Sequence, residues 1–218
     1  MTIFIGMVSQ KGGVGKSTLS RLIAREYAAN SWEVKIADMD ISQSTSYKWQ
    51  SRRFEGNHEP AIAVERFGSV EHALKASSPY DMMIFDGAPH ATAATMRIAE
   101  VSQLVVIPTG LALDDLEPSV ILAHELRQKG IDGEKIRFAL CRVGDSEAEL
   151  EEAKSYISQA GYKVLSGYMP EKLAYRRASD GGQAATETRF PSLNGKAENL
   201  AQSIIDVLSE TLKEVEVA

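Results

Sequence analysis

A glycine-rich segment near the start of the chain lies between a strand-like run and a helical pattern. Its residues 11–18 read Lys-Gly-Gly-Val-Gly-Lys-Ser-Thr, after the apolar run Ile3–Val8 and before a helical pattern that continues to Ala29. Glycines lack a Cβ and adopt φ > 0, so successive backbone N–H groups can converge on one anion. A strand, such a loop and a helix N-terminus in that order predict a phosphate-binding turn.

The segment contains two lysines, Lys11 and Lys16. Lys16 is placed to reach the β- and γ-phosphates of a nucleotide, Ser17 to coordinate Mg²⁺, and Thr18 to reach the α-phosphate. The common pattern G-x-x-x-x-G-K-[ST] fails because Gln10 stands where it requires glycine, whereas K-G-G-x-G-K-[ST] matches in full. Lys11 is therefore the residue that separates this loop from an ordinary phosphate-binding loop, the alternative being a solvated loop charge.

The loop resembles that of the deviant Walker A ATPases, a group that includes ParA, MinD, the nitrogenase iron protein and ArsA. In that group the early lysine, here Lys11, reaches across a dimer to the ATP phosphates of the partner subunit. The chain is most similar to the short ParA partition ATPases, in which no helix-turn-helix domain precedes the loop. The resemblance implies ATP and Mg²⁺ as cofactors, a homodimer in the ATP-bound state, and an ATP site that includes Lys11, Gly12, Gly13, Val14, Gly15, Lys16, Ser17 and Thr18.

Composition favours one compact cytoplasmic domain over residues 1–218. Hydrophobic residues make up 44% of the 218 residues and charged residues 25%, as in ordinary globular proteins. The single cysteine, Cys141, excludes a disulfide framework and argues against an iron–sulfur cluster, and its apolar run predicts burial. The acidic segment Asp206–Ala218 would be repelled by anionic lipid, so we expect no membrane attachment.

Strand-like runs alternate with helical patterns along the chain. The predicted strands are Ile3–Val8, Glu33–Asp38, Ala61–Arg66, Met82–Asp86, Leu104–Pro108, Arg137–Cys141 and Lys163–Gly167. The predicted helices are Lys16–Asn30, Ala93–Val101, Pro118–Lys129, Ser146–Ala160 and Leu193–Lys213, and residues 54–60 are predicted as a surface loop. This alternation predicts a doubly wound α/β fold, with a mostly parallel sheet, helices on both faces and ligands at the carboxyl ends of the strands.

Two aspartates stand where predicted strands end. Asp40 closes the sequence Asp38-Met39-Asp40, and Asp86 ends an apolar strand before Gly87, which is the Walker B arrangement. The resemblance implies that Asp40 helps to prepare the hydrolytic water. The candidate catalytic residues are thus Lys11, Lys16 and Asp40, and the candidate metal-site residues are Ser17, Asp40 and Asp86, the aspartates acting through water.

Both acidic positions leave alternatives open. After Asp40 the chain continues Ile-Ser-Gln where the ParA family usually has Pro-Gln, so an inserted residue could place Gln43 in the usual glutamine position. Asp40 could instead be a helix N-cap or a turn residue. His90, after the second aspartate, is interpreted as a surface residue rather than a catalytic base.

The resemblance places the adenine base near the loops that follow the last strands. The candidate residues there are Arg142, Met169 and Pro170. Arg142 could stack on the base or could be an ordinary charged residue at the end of a strand.

The resemblance also implies that the ATP-bound dimer binds DNA non-specifically on the nucleoid, and that a centromere-binding, ParB-type partner stimulates slow hydrolysis. Because the net charge is −6, any DNA surface must be a local basic patch. The candidate patch consists of Lys172, Arg176, Arg177, Arg189 and Lys196, and its alternative is an ordinary solvated face.

Two other functions remain open at the level of sequence. A related switch could position a different cargo, such as a protein assembly or a conjugative DNA complex. A P-loop enzyme of small-molecule metabolism, resembling dethiobiotin synthetase or the cobyrinate amidases, would lack the arrangement around Lys11.

Overall fold

The computed structural model describes residues 2–90 and 93–217. Within them all seven predicted strands are present, with ends that differ by a few residues. The strands are β1 (Ile3–Met7), β2 (Val34–Asp38), β3 (Ala63–Arg66), β4 (Met82–Asp86), β5 (Leu104–Thr109), β6 (Ile136–Val143) and β7 (Lys163–Pro170).

The strands form one parallel sheet in the order β3-β2-β4-β1-β5-β6-β7. Every strand pair is parallel, so all carboxyl ends lie at one edge. In the register of β2 against β4, Asp38 is paired with Asp86, which places the two predicted acidic sites side by side. The predicted fold class is confirmed, and the buried apolar strands are those of a sheet that helices cover on both faces.

The predicted helices are all present, but sequence reasoning did not identify three others. The helices are α1 (Lys16–Ala29), α2 (Thr45–Glu55), α3 (Val70–Lys75), α4 (Ala93–Val101), α5 (Leu113–Gln128), α6 (Glu147–Gln159), α7 (Leu173–Asp180) and α8 (Pro191–Val217). The predicted loop 54–60 is wrong at its start, because Phe54 and Glu55 belong to α2. Helix α8 includes most of the acidic segment 206–218, of which Ala218 lies outside the described residues.

Helix α5 begins five residues before the predicted start at Pro118. Proline lacks an N–H group, so the carbonyl four residues earlier receives no helical hydrogen bond. That carbonyl belongs to Asp114, and it accepts a hydrogen bond from Nζ of Lys11 instead, at 2.9 Å. The helix continues through Pro118 and brings its first turn to the glycine-rich loop.

Two apolar cores lie on the two faces of the sheet. One core takes its helical residues from α1, α2, α7 and α8, including Leu22 and Ile204. The other takes them from α3, α4, α5 and α6, including Ile98 and Ile157. Cys141 is buried as predicted, and burial raises the pKa of its thiol to about 12. In the described part of the chain, no helix has both the length and the apolar character needed to cross a membrane.

Candidate functional site

A cleft of about 710 Å³ opens at the carboxyl edge of the sheet. Such a volume suits a small-molecule ligand of nucleotide size. The glycine-rich loop and the ends of β2, β4, β6 and β7 supply its walls. Its lining contains these predicted ATP-site residues: Gly12, Gly13, Gly15, Lys16, Ser17, Thr18, Arg142, Met169 and Pro170.

The loop conformation depends on two of its glycines. Gly13 has φ 75° and Gly15 has φ 118°, a region that other residues rarely adopt. A Cβ on Gly15 would also lie 3.0 Å from Sγ of Cys141, so the loop packs closely on β6. Helix α1 begins directly after Gly15 with no side-chain cap. Its first N–H groups lack helical acceptors, and those free donors are what an anion needs.

Lys16 is buried, only 7% exposed, at the start of α1. Its Nζ donates to the carbonyl oxygen of Lys11 at 2.9 Å, which holds the side chain along the loop. Burial lowers the pKa of Lys16, and the charges of Asp86 and Asp40 partly offset that effect. A buried ammonium group beside free N–H donors is suited to a phosphate ligand.

Lys11 lies differently, with a side chain that is 40% exposed. Its Nζ bonds the carbonyl of Asp114 and forms an ion pair with Oδ1 of Asp115. The other carboxylate oxygen of Asp115 accepts a hydrogen bond from Arg142 at 2.6 Å. Asp115 therefore joins the loop lysine to a predicted base-site residue. The sequence does not identify it, because the predicted helix begins only at Pro118.

Asp38 organises the turn into α2. Oδ2 of its buried carboxylate accepts hydrogen bonds from the N–H groups of Ser46 and Tyr47, both at 3.0 Å, and Oδ1 accepts one from Asp40 at 3.1 Å. Burial raises the pKa of Asp38, although these donors favour the charged form. Asp38 thus acts as the cap that the αL residue Ser44 does not provide for α2.

Asp40 both forms the turn and lines the cleft. Its Oδ1 accepts hydrogen bonds from the Ser42 hydroxyl at 2.6 Å and the Gln43 N–H at 3.0 Å. Burial alone would raise the pKa of Asp40, but these donors and the charge of Lys16 lower it. Gln43 lines the cleft as well. The observed contacts of Asp40 are therefore those of a turn residue. The same carboxylate also lines the cleft, so the two roles are compatible.

Asp86 has one carboxylate oxygen with a partner and one without. It is 2% exposed, and its Oδ2 accepts a hydrogen bond from the Ser46 hydroxyl at 2.7 Å. Its Oδ1 is buried and has no hydrogen-bond partner among the described residues. Burial raises the pKa of Asp86, while the hydrogen bond from Ser46, the charge of Arg21 and the nearby Ser17 hydroxyl, which lies outside good hydrogen-bond geometry, lower it. A buried carboxylate oxygen without a partner usually has a function or a missing ligand.

These residues fit Mg²⁺ bound together with a nucleotide. Among residues 2–90 and 93–217, no group of three or more His, Cys, Asp or Glu could hold a metal by itself. Mg²⁺ in nucleotide sites commonly takes one or two protein ligands and completes its shell with phosphates and waters. In this arrangement the Ser17 hydroxyl would bind the ion directly, and the free oxygen of Asp86, together with Asp40, would hold it through water, as the sequence predicts.

The last strands form the other end of the cleft. Met169 and Pro170 are buried at the end of β7. Arg142 is exposed with φ 55°, and its guanidinium is bonded to Asp115. These three residues line the cleft, and their contact with the base stays a prediction.

The five predicted DNA-binding residues do not share one environment. Lys172 and Arg176 line the cleft and form ion pairs with Asp145 and Glu171 at 2.9 and 2.6 Å. Arg189 stacks on the ring of Phe190, and Lys196 lies over the ring of Tyr168. Arg177 is exposed and has no ion pair in the described residues.

Comparisons with known proteins agree with this architecture. The family model described as the CobQ/CobB/MinD/ParA nucleotide binding domain matches residues 5–185. Among solved structures, the cell division ATPase MinD of Pyrococcus furiosus is 18% identical, with 95% of this chain and 100% of that chain covered and a TM-score of 0.73. A search of the curated proteins found no match.

Two further solved structures share the fold. Apo McdA of Cyanothece is 16% identical, with 94% of this chain and 100% of that chain covered and a TM-score of 0.71. A putative plasmid partition protein of Borrelia burgdorferi, bound to AMPPNP, is 17% identical, with 94% of this chain and 99% of that chain covered and a TM-score of 0.70.

Proposed function

This chain belongs to the CobQ/CobB/MinD/ParA nucleotide-binding family, and from that premise we propose that it is an ATP-dependent switch ATPase. In this proposal ATP and Mg²⁺ bind in the cleft, ATP binding drives the formation of a homodimer, and slow hydrolysis restores the monomer. The ATP-bound dimer binds DNA non-specifically and segregates DNA together with a centromere-binding partner that stimulates hydrolysis.

The observation that carries the proposal is the different placement of the two loop lysines. Lys16 is buried and lies along its own loop, where it would bind phosphate in its own subunit. Lys11 is 40% exposed and points to the first turn of α5. The Lys11 ammonium is thus held by α5 and not by its own loop, and a second subunit that approaches this edge would take it from Asp115.

Hydrolysis by this arrangement would rest on positioning and on charge neutralisation. Phosphoryl transfer to water has little covalent chemistry for a protein to perform. Lys16 and the free N–H groups of α1 would bind and orient the phosphates. Asp40, whose pKa is lowered, would accept a hydrogen bond from the attacking water. Bound Mg²⁺ would supply further neutralisation at the phosphates, held by Ser17 directly and by Asp40 and Asp86 through water.

The proposal is tested by sedimentation of the protein with ATP, with ADP and without nucleotide. We expect a dimer only with ATP. Lys11→Ala should bind nucleotide as a monomer, lose ATP-dependent dimerisation, and hydrolyse ATP about 100-fold more slowly, because a trans cation is worth at least that in related reactions. Lys154→Ala, which removes a half-buried lysine of α6 that pairs with Glu151, is the matched control. A Lys11→Ala variant that dimerises and hydrolyses normally would refute the trans role.

Sedimentation, combined with a measurement of ATP hydrolysis, also separates this function from small-molecule catalysis. A metabolic enzyme of the family would hydrolyse ATP only with its substrate and would not dimerise on ATP. A switch hydrolyses ATP without a substrate and is stimulated when DNA and a partner protein are added together.

A further inference from the structure

Ser46 bonds the ends of two neighbouring strands. It is 0% exposed in the first turn of α2. Its N–H donates to Asp38, at the end of β2, and its hydroxyl donates to Asp86, at the end of β4. Asp38 and Asp86 are register partners, so a single residue satisfies two adjacent carboxylates. Like charges this close need such donors if both are to stay ionised.

The direction of the hydrogen bonds at the Ser46 hydroxyl is fixed by chemistry. Nε of Arg21 lies 3.2 Å from Oγ of Ser46, and a guanidinium N–H can only donate. The hydroxyl oxygen is therefore the acceptor in that bond, and its one proton goes to Oδ2 of Asp86. Arg21 is held in turn by the Ser179 hydroxyl at 2.8 Å and lies over the ring of Trp49.

This arrangement leaves one oxygen of Asp86 for the cleft. Oδ2 is engaged by Ser46, whereas Oδ1 is buried without a partner among the described residues. Arg21 lies close by. Its Nη2 is also buried and has no hydrogen-bond partner among the described residues. The serine hydroxyl thus stands between a carboxylate and a guanidinium that would otherwise pair directly.

We propose that Ser46 is a positioning residue that holds the Asp86 carboxylate in the orientation needed for Mg²⁺, an inference that rests on the proposed function. Without the hydroxyl, Arg21 pairs with Asp86 and turns its free oxygen away from the metal. Ser46 also follows directly after the turn that contains Asp40 and Gln43, which line the cleft. A shift of that turn when nucleotide binds therefore reaches Asp86 through Ser46.

The test measures how Mg²⁺ affects nucleotide binding rather than turnover. Fluorescent mant-ATP is bound to the full chain in EDTA and then titrated with Mg²⁺. We expect Ser46→Ala to raise the midpoint of the Mg²⁺ titration about tenfold, as for the loss of one hydrogen bond to a charged group. Affinity for mant-ATP in EDTA should stay unchanged, because the hydrogen bonds of Ser46 in the described part of the chain go to Asp38, Asp86 and Arg21 and not to the glycine-rich loop. Ser46→Thr keeps the hydroxyl and should restore the wild-type midpoint.

Ser44→Ala is the matched control. Its hydroxyl is buried in the same turn but donates to the carbonyl of Ile41, away from Asp86, so the midpoint should not move. If Ser46→Ala does not fold, Ser46→Cys keeps the volume, weakens the donor and takes its place. The inference would be overturned if Ser46→Ala, or Ser46→Cys in its place, kept the wild-type midpoint. It would also be overturned if the midpoint of Ser46→Thr were as high as that of Ser46→Ala. Wild-type protein that binds no mant-ATP would instead refute the proposed function.

Discussion

The cleft and the basic segment 172–196 hold their charged groups in opposite ways. In the cleft, Lys16 and Asp86 are buried, and their partners are a backbone carbonyl and a buried hydroxyl. In the basic segment, Lys172 pairs with Asp145, whose side chain is 90% exposed. Charges in a buried polar site interact strongly, whereas exposed pairs are weakened by water and salt. Single substitutions should therefore have large effects in the cleft and small effects on the basic segment.

The largest expected effect is that of Lys16→Ala on nucleotide affinity. The ammonium group is the buried cation of the loop, and its loss removes charge-assisted bonds to phosphate, so mant-ATP should bind about 100-fold more weakly. Titration of mant-ATP fluorescence measures the change, and circular dichroism checks that the fold is kept. Lys154→Ala should bind as the wild type does. An equal loss in both variants would mean that the cleft is no more sensitive than the surface.

Sequence alone predicted the parts of the cleft that depend on neighbouring residues in the chain. The glycine-rich loop and the strands ending in Asp38 and Asp86 were predicted because each is a local pattern of apolar runs and turn residues. The doubly wound sheet then followed from their alternation. Parallel topology places the ends of β2 and β4 at the same edge, but the sequence predicts no strand order, so the pairing of Asp38 with Asp86 is seen only in the structure.

The residues that sequence reasoning missed act through tertiary contacts. Asp115 matters because α5 begins before Pro118 and reaches Lys11 and Arg142. Ser46 and Arg21 matter because α2 packs where β4 ends and places the Ser46 hydroxyl between Arg21 and Asp86. No local pattern marks such residues, since their roles arise from distant parts of the chain.

An intermediate effect is expected at a buried ion pair that joins α2 to the basic segment. Arg53, in the last turn of α2, is 2% exposed and forms two hydrogen bonds, at 2.7 and 2.9 Å, with Glu187 beyond α7. Burial alone would raise the pKa of Glu187, but Arg53 and the Ala184 N–H lower it below the ordinary 4.5. Glu187→Gln should therefore lower the free energy of unfolding by about 2 kcal/mol at neutral pH, through loss of charge-assisted bonds.

The pH dependence of this effect has a definite sign. Because the folded-state pKa of Glu187 is depressed, its contribution is fully present above the unfolded value and is lost as the pH falls through the folded value. Measured by urea unfolding, the difference in free energy of unfolding between wild type and Glu187→Gln should be constant at neutral pH and should decrease below about pH 4.5. Glu151→Gln, which breaks an exposed pair with Lys154, should show almost no difference at any pH. If the difference between wild type and Glu187→Gln persisted in acid, the effect would come from packing and not from charge.

The smallest expected effect is that of Arg177→Ala on DNA binding. Arg177 is exposed and has no ion pair in the described residues, so its charge is more available to a phosphate than those of Lys172 and Arg176. Its removal should weaken binding of the ATP-bound protein to DNA of arbitrary sequence about threefold and reduce the slope of log affinity against log salt by about 1. Fluorescence anisotropy at several salt concentrations measures both, with Lys154→Ala as control. Nucleotide affinity should be unchanged, because the solvated arginine is absent from the cleft lining. An unchanged salt slope would remove Arg177 from the DNA surface and leave the remaining basic residues of the segment to be tested in the same way.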